Sequence, residues 1–379
     1  MIQRRTEKKH KIRYAVVGLG HISQAAVLPA FAHARRNSEL VGLVSGDPVK
    51  LQELGRRYRV KHTVGYDDYD DFLRSGSVDA VYIALPNDLH RECTERAAEA
   101  GIHVLCEKPL AVTVSDCRAM IRAAAQTGVR LMTAYRLHFE EANLTAIKLV
   151  RSGRLGAPRF IHSVLSMQVR DGDIRVRRAR GGGPLLDVGI YCINAARSLF
   201  QDEPVEATAM AASLPDRRFR EVDETVTALL RFPGERLAAF TCSFGAADVT
   251  MVRIVGTEGD LRVEPSFEYA GGLTHHLTSR GKSSVRHFPK RDQFAAELLY
   301  FSECILEDRE PEPSGMEGLA DVRVIEAVQE SLHAGRRISL PPFSRARRPH
   351  LGQEIHRPPV RKREEIRARS PHELSLIHI

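Results

Sequence analysis

The sequence predicts an α/β protein: a parallel sheet covered by helices, followed by an α+β domain on a mostly antiparallel sheet. Three observations predict it. Over residues 12–153 apolar runs alternate with stretches of helical periodicity, the pattern of strands buried on both faces. Over residues 154–340 short apolar strands follow one another across tight turns, which favours antiparallel pairing. Residues 14–23 run from an apolar strand through Gly18-Leu19-Gly20 directly into a helical pattern. That is the opening of a dinucleotide-binding βαβ unit, the start of a Rossmann domain.

In the first half, strands are expected at 13–18, 40–45, 80–85, 103–106 and 130–134. Helices are expected between them at 22–34, 49–58, 88–100 and 115–127. Pro29 lies inside the first helical pattern and predicts a kink or an early end. Thr113 stands where a cap for the helix at 115–127 belongs. A helix over 141–152 closes this domain, with the boundary at 153–158. Strands then read at 159–169, 222–232, 236–245, 249–255 and 260–263, with turns at Pro233-Gly234 and Glu258-Gly259. A helix over 185–200 interrupts them, and helices over 293–307 and 318–334 follow. Across 341–379 Pro, Arg and Glu dominate and periodicity is lost, so this segment reads as an extended or disordered arm. Residues 373–379 look unrelated to it and read as a cloning or read-through scar.

Composition excludes several classes. The chain has 379 residues, 43% of them hydrophobic, enough for two packed cores. Its net charge of +8 sits in the tails: positions 1–13 and 341–379 are rich in Lys and Arg, and the body between is slightly acidic. Solvated basic termini explain that balance better than a nucleic-acid-binding surface. The six cysteines are isolated in apolar runs with no Cys-x-x-Cys pair, which reads as reduced core thiols and a cytoplasmic location. No apolar run is long enough to span a membrane, and no signal-type segment precedes the first strand.

The chemistry-bearing residues cluster at strand ends. Gly18 permits the tight turn out of the first strand. Gly20 lets the backbone approach a pyrophosphate at the start of the helix that His21 and Ile22 begin. Ser23 replaces the third glycine of the pattern and is small enough for helix–strand packing. At the end of the second strand, Ser45 stands where an NAD-binding domain places an acid for the ribose hydroxyls, and Lys50 follows one helical turn on. A neutral hydroxyl with a nearby cation favours NADP over NAD. The alternative makes Asp47 the displaced ribose acid and Lys50 a solvated residue. Pro86, Asn87 and His90 follow the third strand and are counted as cofactor contacts, because ligands of parallel sheets bind beyond such strand ends. Asn87 or Asp88 also suits a helix cap. Glu107-Lys108-Pro109 ends the fourth strand, and both charged residues are expected to face the cofactor.

These residues together resemble the Gfo/Idh/MocA family of nicotinamide-dependent oxidoreductases over residues 12–340, with Glu107-Lys108-Pro109 the most specific element. Val44-Ser45-Gly46, Ala134-Tyr135-Arg136-Leu137-His138 and the run from Gly181 to Tyr191 are most similar to its glucose–fructose oxidoreductase type. The resemblance implies a second domain with an open, largely antiparallel sheet, whose face makes a homo-oligomer contact. It implies hydride transfer between the anomeric carbon of an aldose and NADP, coupled in that type to keto-sugar reduction. Much of the family carries Asp-x-Gly-x-His-x-x-Asp with the histidine as base. Here residues 187–194 match, with Tyr191 for the histidine and Asn194 for the last acid.

By that resemblance Tyr191 is the catalytic base. Free tyrosine titrates near 10, so it needs a cation to act near neutrality, and Lys108 is the expected one. Asp187, one helical turn before Tyr191, is expected to orient the sugar, with Arg136 and Arg175 as further substrate contacts. His138 is the next candidate base, and no metal is expected. Few residues precede the first strand, so neither an exported leader nor an N-terminal arm retaining the cofactor is expected. The same fold also serves non-catalytic dinucleotide-sensing regulators that bind a protein partner. The joint presence of Lys108, Asp187 and Tyr191 favours the enzyme.

Overall fold

The first strand, β1 (Ile12–Val17), leaves the sheet through Gly18 and enters a widened helical turn, Ser23–Val27, continued by α1 (Leu28–Ala30). The computed structural model describes residues 11–361 and 363–371; the positions before Lys11 and the supposed scar at 373–379 lie outside the described residues. The helix stops at Ala30, short of the expected residue 34, and Leu28 N bonds to Ser23 O, five residues back. Pro29 accounts for both, since it offers no N–H and its ring crowds the preceding turn.

The chain then alternates β2 (Ser38–Val44), α2 (Pro48–Tyr58), β3 (His62–Val64), α3 (Tyr69–Arg74), β4 (Ala80–Ile83), α4 (His90–Glu99), β5 (His103–Glu107), α5 (Val114–Thr127) and β6 (Leu131–Ala134). All these strands pair in parallel in the order β3-β2-β1-β4-β5-β6. The order reverses direction between β1 and β4, which opens a crevice at their C-terminal ends. Thr113 caps α5 as expected, accepting from Asp116 N. β3 and α3 escaped the sequence reading because both are short and carry little periodicity.

After α6 (Glu141–Arg151) the second sheet begins with β7 (Pro158–Gln168), followed by α7 (Ile190–Phe200), β8 (Glu206–Ala212), β9 (Thr225–Phe232), β10 (Arg236–Ser243), β11 (Gly245–Gly256), β12 (Gly259–Val263), β13 (Leu273–Ser279) and β14 (Lys282–Phe288). Helices α8 (Gln293–Leu306) and α9 (Gly315–Ala334) and a short β15 (Ile338–Ser339) complete it. The order is β14-β13-β12-β11-β7-β10-β9-β8-β15, antiparallel except where β7 and β10 run parallel. The sequence signal for β8, β13 and β14 is weak. β8 is alanine-rich, and β14 is exposed at every position but Phe288, so no apolar alternation marks it. One face of the sheet packs on α7, burying Ile190, Ile193, Phe240 and Cys242.

Helix α8 packs against the first sheet, and α9 lies between the two, with Val324, Ile325 and Val328 in the second sheet's core. Leu298 and Phe301 of α8 share a core with Tyr14 and Val27, and Tyr14 Oη lies 2.9 Å from Ser302 Oγ. Leu319 and Val322 of α9 pack with Cys117 and Met120 of α5. All six cysteines are free and buried. Among the described residues no helix is long and apolar enough to cross a membrane.

Among the described residues the arm beyond Pro341 forms no regular element except one turn at Leu351–Gln353. Its arginines correct the expectation of a solvated tail. Arg345 is buried against Glu312 and Glu317, and Arg348 pairs with Glu203 at 2.8 Å. Glu203 and Glu317 are also partners of Arg197, a fully buried cation that in addition holds Asp321. The arm is pinned because carboxylates buried in the body need counter-charges.

Candidate active site

The crevice between β1 and β4 opens into a cleft of about 460 Å³. Gly18, Gly20, His21, Ile22, Ser45, Lys50, Pro86, Asn87, Glu107, Lys108 and Arg136 line it from the first half of the chain. Arg175, Asp187 and Tyr191 line it from the second. Of the residues predicted to hold cofactor or substrate, His90 does not reach it. His90 is fully buried behind the cleft, with Nδ1 2.9 Å from Pro109 O and Nε2 3.0 Å from Leu85 O. It ties two strand-end loops together, and burial pushes its pKa down.

The glycine turn has the geometry of a phosphate cradle. Gly18 has φ +92°, and a Cβ there would come within 2.4 Å of Ala84 O. Gly20 lines the cleft, and a Cβ there would meet no atom within 4 Å beyond its chain neighbours, so the backbone faces open space that a phosphate could approach. Ser23 does more than fit: its Oγ donates to Gly18 O at 2.6 Å and fastens the helix to the turn. Beyond β2, Asp47 accepts from Val49 N and Lys50 N and so caps α2. Its backbone N–H donates to Ser45 Oγ at 3.2 Å. With Asp47 engaged as a cap, Ser45 and Lys50 present a hydroxyl and a cation to the cleft. A dinucleotide therefore fits the residues present.

Asn87 and Asp88 cap nothing. Asn87 Nδ2 donates to Gly181 O at 2.8 Å, and Asp88 pairs with Arg180 at 2.8 Å. Both bonds cross to the second half of the chain and close one wall of the cleft.

The charged centre is compact. Lys108 Nζ donates to Asp187 O at 2.7 Å and to Asp187 Oδ1 at 3.0 Å. Arg175 Nε donates to Asp187 Oδ2 at 2.9 Å. Asp187 is therefore clamped between two cations. Burial opposes its charge, but Lys108 and Arg175 outweigh that and hold its pKa down to about 2. Burial likewise opposes the Lys108 ammonium, and Asp187 leads the opposing charges that keep it protonated. Each carboxylate oxygen of Asp187 thus accepts from one cation, and the residue still lines the cleft where a sugar hydroxyl could reach it.

Tyr191 lies between two cations of its own. Lys108 Nζ sits 4.8 Å from the centre of its ring, whereas Arg136 Nη2 donates to its hydroxyl at 3.5 Å. Arg136 is buried and is held by Phe267 O and Gln293 Oε1. The helix carrying Tyr191 is widened at Leu185–Gly189, where Ile190 N reaches back to Leu185 O. Behind Lys108, Glu107 accepts from Tyr82 Oη at 2.8 Å. Burial raises the Glu107 carboxyl, and burial with the Glu107 charge raises the buried Glu297 carboxyl well above the usual range.

His138 does not line this cleft. It is buried, with Nε2 3.1 Å from Asn194 Oδ1 and Nδ1 3.3 Å from Glu312 Oε1. Asn194 in turn donates to Glu317 and Asp321, so both belong to the buried ionic cluster. Several lining residues had no sequence signal. Phe267, Glu268 and Tyr269 come from the loop after β12, Phe294 from α8 and Pro371 from the arm. Tyr269 Oη lies 3.4 Å from His21 Nε2, joining that loop to the glycine turn.

Known proteins agree with this architecture. The profile of the Gfo/Idh/MocA oxidoreductase family, NAD-binding Rossmann fold, matches residues 12–135, and that of the GFO/IDH/MocA C-terminal domain matches 143–262. The D-xylose 1-dehydrogenase [NADP(+)] of Haloarcula marismortui is 32% identical over 341 residues, spanning 87% of this chain and 93% of that one. D-xylose 1-dehydrogenase (NADP(+)) 2 of Haloferax volcanii is 29% identical over 331 residues, spanning 86% and 99%. The crystal structure of aldose-aldose oxidoreductase from Caulobacter crescentus complexed with glycerol superposes with a TM-score of 0.84 at 39% identity, spanning 87% of this chain and 100% of that one. With the glycine turn, the Glu107-Lys108-Pro109 strand end and both domain profiles in place, this chain belongs to the Gfo/Idh/MocA family of oxidoreductases.

Proposed function

We propose that this chain is an NADP-dependent sugar oxidoreductase that oxidises a ring-form aldose of the glucose or xylose type at its anomeric carbon to the lactone. The observation that carries the reading is the convergence of Lys108, Arg136, Asp187 and Tyr191 on the cleft that also holds the glycine turn and Ser45. Gly18, Gly20, His21 and Ile22 hold the pyrophosphate, Ser45 and Lys50 the 2′-phosphate ribose, and Pro86, Asn87 and Glu107 the nicotinamide side. The nicotinamide, when bound, supplies the hydride acceptor. Tyr191 takes the proton of the anomeric hydroxyl. Arg136 at its oxygen and Lys108 over its ring supply positive charge where the proton leaves. Asp187 fixes Lys108 in that position, and Arg175 fixes Asp187.

The relatives support the substrate class: two are named as NADP-dependent xylose dehydrogenases and one as an aldose-aldose oxidoreductase. Keto-sugar reduction is the same chemistry reversed, and its coupling to aldose oxidation on one cofactor extends the proposal. A homo-oligomer through the second sheet is also proposed, because Phe160, Leu229 and Leu237 stand exposed on neighbouring strands of that sheet. The decisive experiment is reduced-nicotinamide absorbance with NADP and a panel of aldoses, polyols and keto sugars. An aldose-dependent rate proportional to protein supports the assignment. Binding of NADP with no turnover across the panel overturns it in favour of a dinucleotide-sensing regulator.

A further inference from the structure

The last described residues of the arm lie on the cleft that holds the glycine turn. Gln24, buried in the helix after the glycine turn, grips the backbone of Ile366 from both sides. Its Oε1 accepts from Ile366 N at 2.7 Å and its Nε2 donates to Ile366 O at 2.9 Å. The same Nε2 donates to Leu19 O at 2.9 Å, so one amide links the arm to the turn. Glu365 meets His21 Nδ1 at 2.9 Å, and Arg57 donates to Glu364 O at 2.7 Å. Pro371 lines the cleft, and its carbonyl accepts from Arg170 N at 3.0 Å in the segment after β7. The chain from 363 to 371 therefore runs from the first sheet's helices to the second half of the protein, along the cleft mouth. On the way Arg367 stands 3.6 Å from the Asp47 carboxylate at the start of α2, beside Ser45. Its side chain is 61% exposed, so its remaining donors are open to a ligand.

We propose that residues 363–371 form a strap that retains the dinucleotide, with Arg367 its contact to the 2′-phosphate. An arginine is suited to this, since its planar fork matches phosphate oxygens and its charge is permanent. Asp47 positions the guanidinium without consuming it. The strap is fastened to Gln24 and His21 on one side and to Arg170 on the other, so release of the cofactor requires these bonds to open. The Arg367 part rests on the reading that Ser45 and Lys50 hold the 2′-phosphate ribose; the strap itself does not, because its fastenings lie on the glycine turn.

The test uses the full chain and three variants: Arg367→Ala, Ile366→Pro, which removes the N–H that Gln24 accepts, and a chain ended after Arg357. Dissociation rates and affinities of NADPH and NADH are read by their fluorescence, with circular dichroism melts to establish folding. Arg367→Ala is expected to weaken NADPH about tenfold and leave NADH within twofold. Ile366→Pro and the shortened chain are expected to release both cofactors at least about tenfold faster. Unchanged release in a folded Ile366→Pro overturns the strap. Equal effects of Arg367→Ala on both cofactors, or none, overturn its phosphate contact. Failure of the underlying reading shows separately, as a NADPH-to-NADH preference that Lys50→Ala does not change.

Discussion

Arg136 donates to the Tyr191 hydroxyl at 3.5 Å, while Lys108 lies over the ring of the same tyrosine and bonds to Asp187. The two cations therefore have different duties. Arg136 faces the atom that would take the proton, and Lys108 holds the ring face and the carboxylate behind it.

Tyr191→Phe removes the hydroxyl and nothing else. Turnover is expected to fall by about 10²–10⁴-fold, the usual contribution of a positioned acid or base. Cofactor affinity should stay near that of the wild type, because the glycine turn is untouched. Steady-state kinetics beside a cofactor titration checks both; a variant that keeps full turnover removes the proposed role.

Replacing Arg136 by Gln takes the positive charge from beside the hydroxyl. Turnover is expected to drop on the order of 10²-fold. The cofactor should still bind, because the glycine turn and Ser45 are untouched. Lys108→Ala lowers turnover as well, because it takes the second cation from the ring face of Tyr191 and leaves Asp187 with only Arg175. Steady-state kinetics of the two variants beside the wild type checks both; full turnover in either removes the role proposed for that cation.

At the ribose end, Ser45→Asp places a carboxylate beside the position proposed for the 2′-phosphate. NADP affinity is expected to fall at least about tenfold while NAD affinity holds or improves. Parallel titrations of wild type and variant decide it, and a wild type that already prefers NAD contradicts the assignment of Ser45 and Lys50.

One stability prediction concerns His275 on β13, which is buried against Phe288. Burial lowers its pKa from 6.5 to about 4. Between those values the unfolded chain binds a proton that the folded one refuses, so stability is present above pH 6.5 and is lost as the pH falls toward 4. The loss is on the order of 3 kcal/mol. Denaturant unfolding at pH 7 and pH 4.5 should show it, and His275→Gln should shrink the difference between the two.

The sequence by itself determined the parallel sheet, the glycine turn and its strand-end residues, because each depends on local chemistry. Gly18 needs a positive φ, Pro29 ends a helix, and apolar alternation marks buried strands. It also brought Lys108, Asp187 and Tyr191 into one proposed site through the motifs that carry them. Only the tertiary structure decided how the charges are shared. Asp187 bridges Lys108 and Arg175, one cation to each oxygen, which no spacing along the chain reveals. His90 and His138 look like site residues by position but turn into buried contacts, since a strand-end loop has two sides and sequence does not say which faces the cleft. The arm is the clearest case. Its composition reads as solvated, yet its arginines meet buried carboxylates supplied by distant helices, and its last described residues reach the glycine turn. Charge pairing across long chain separations is set by packing, and periodicity carries no record of it.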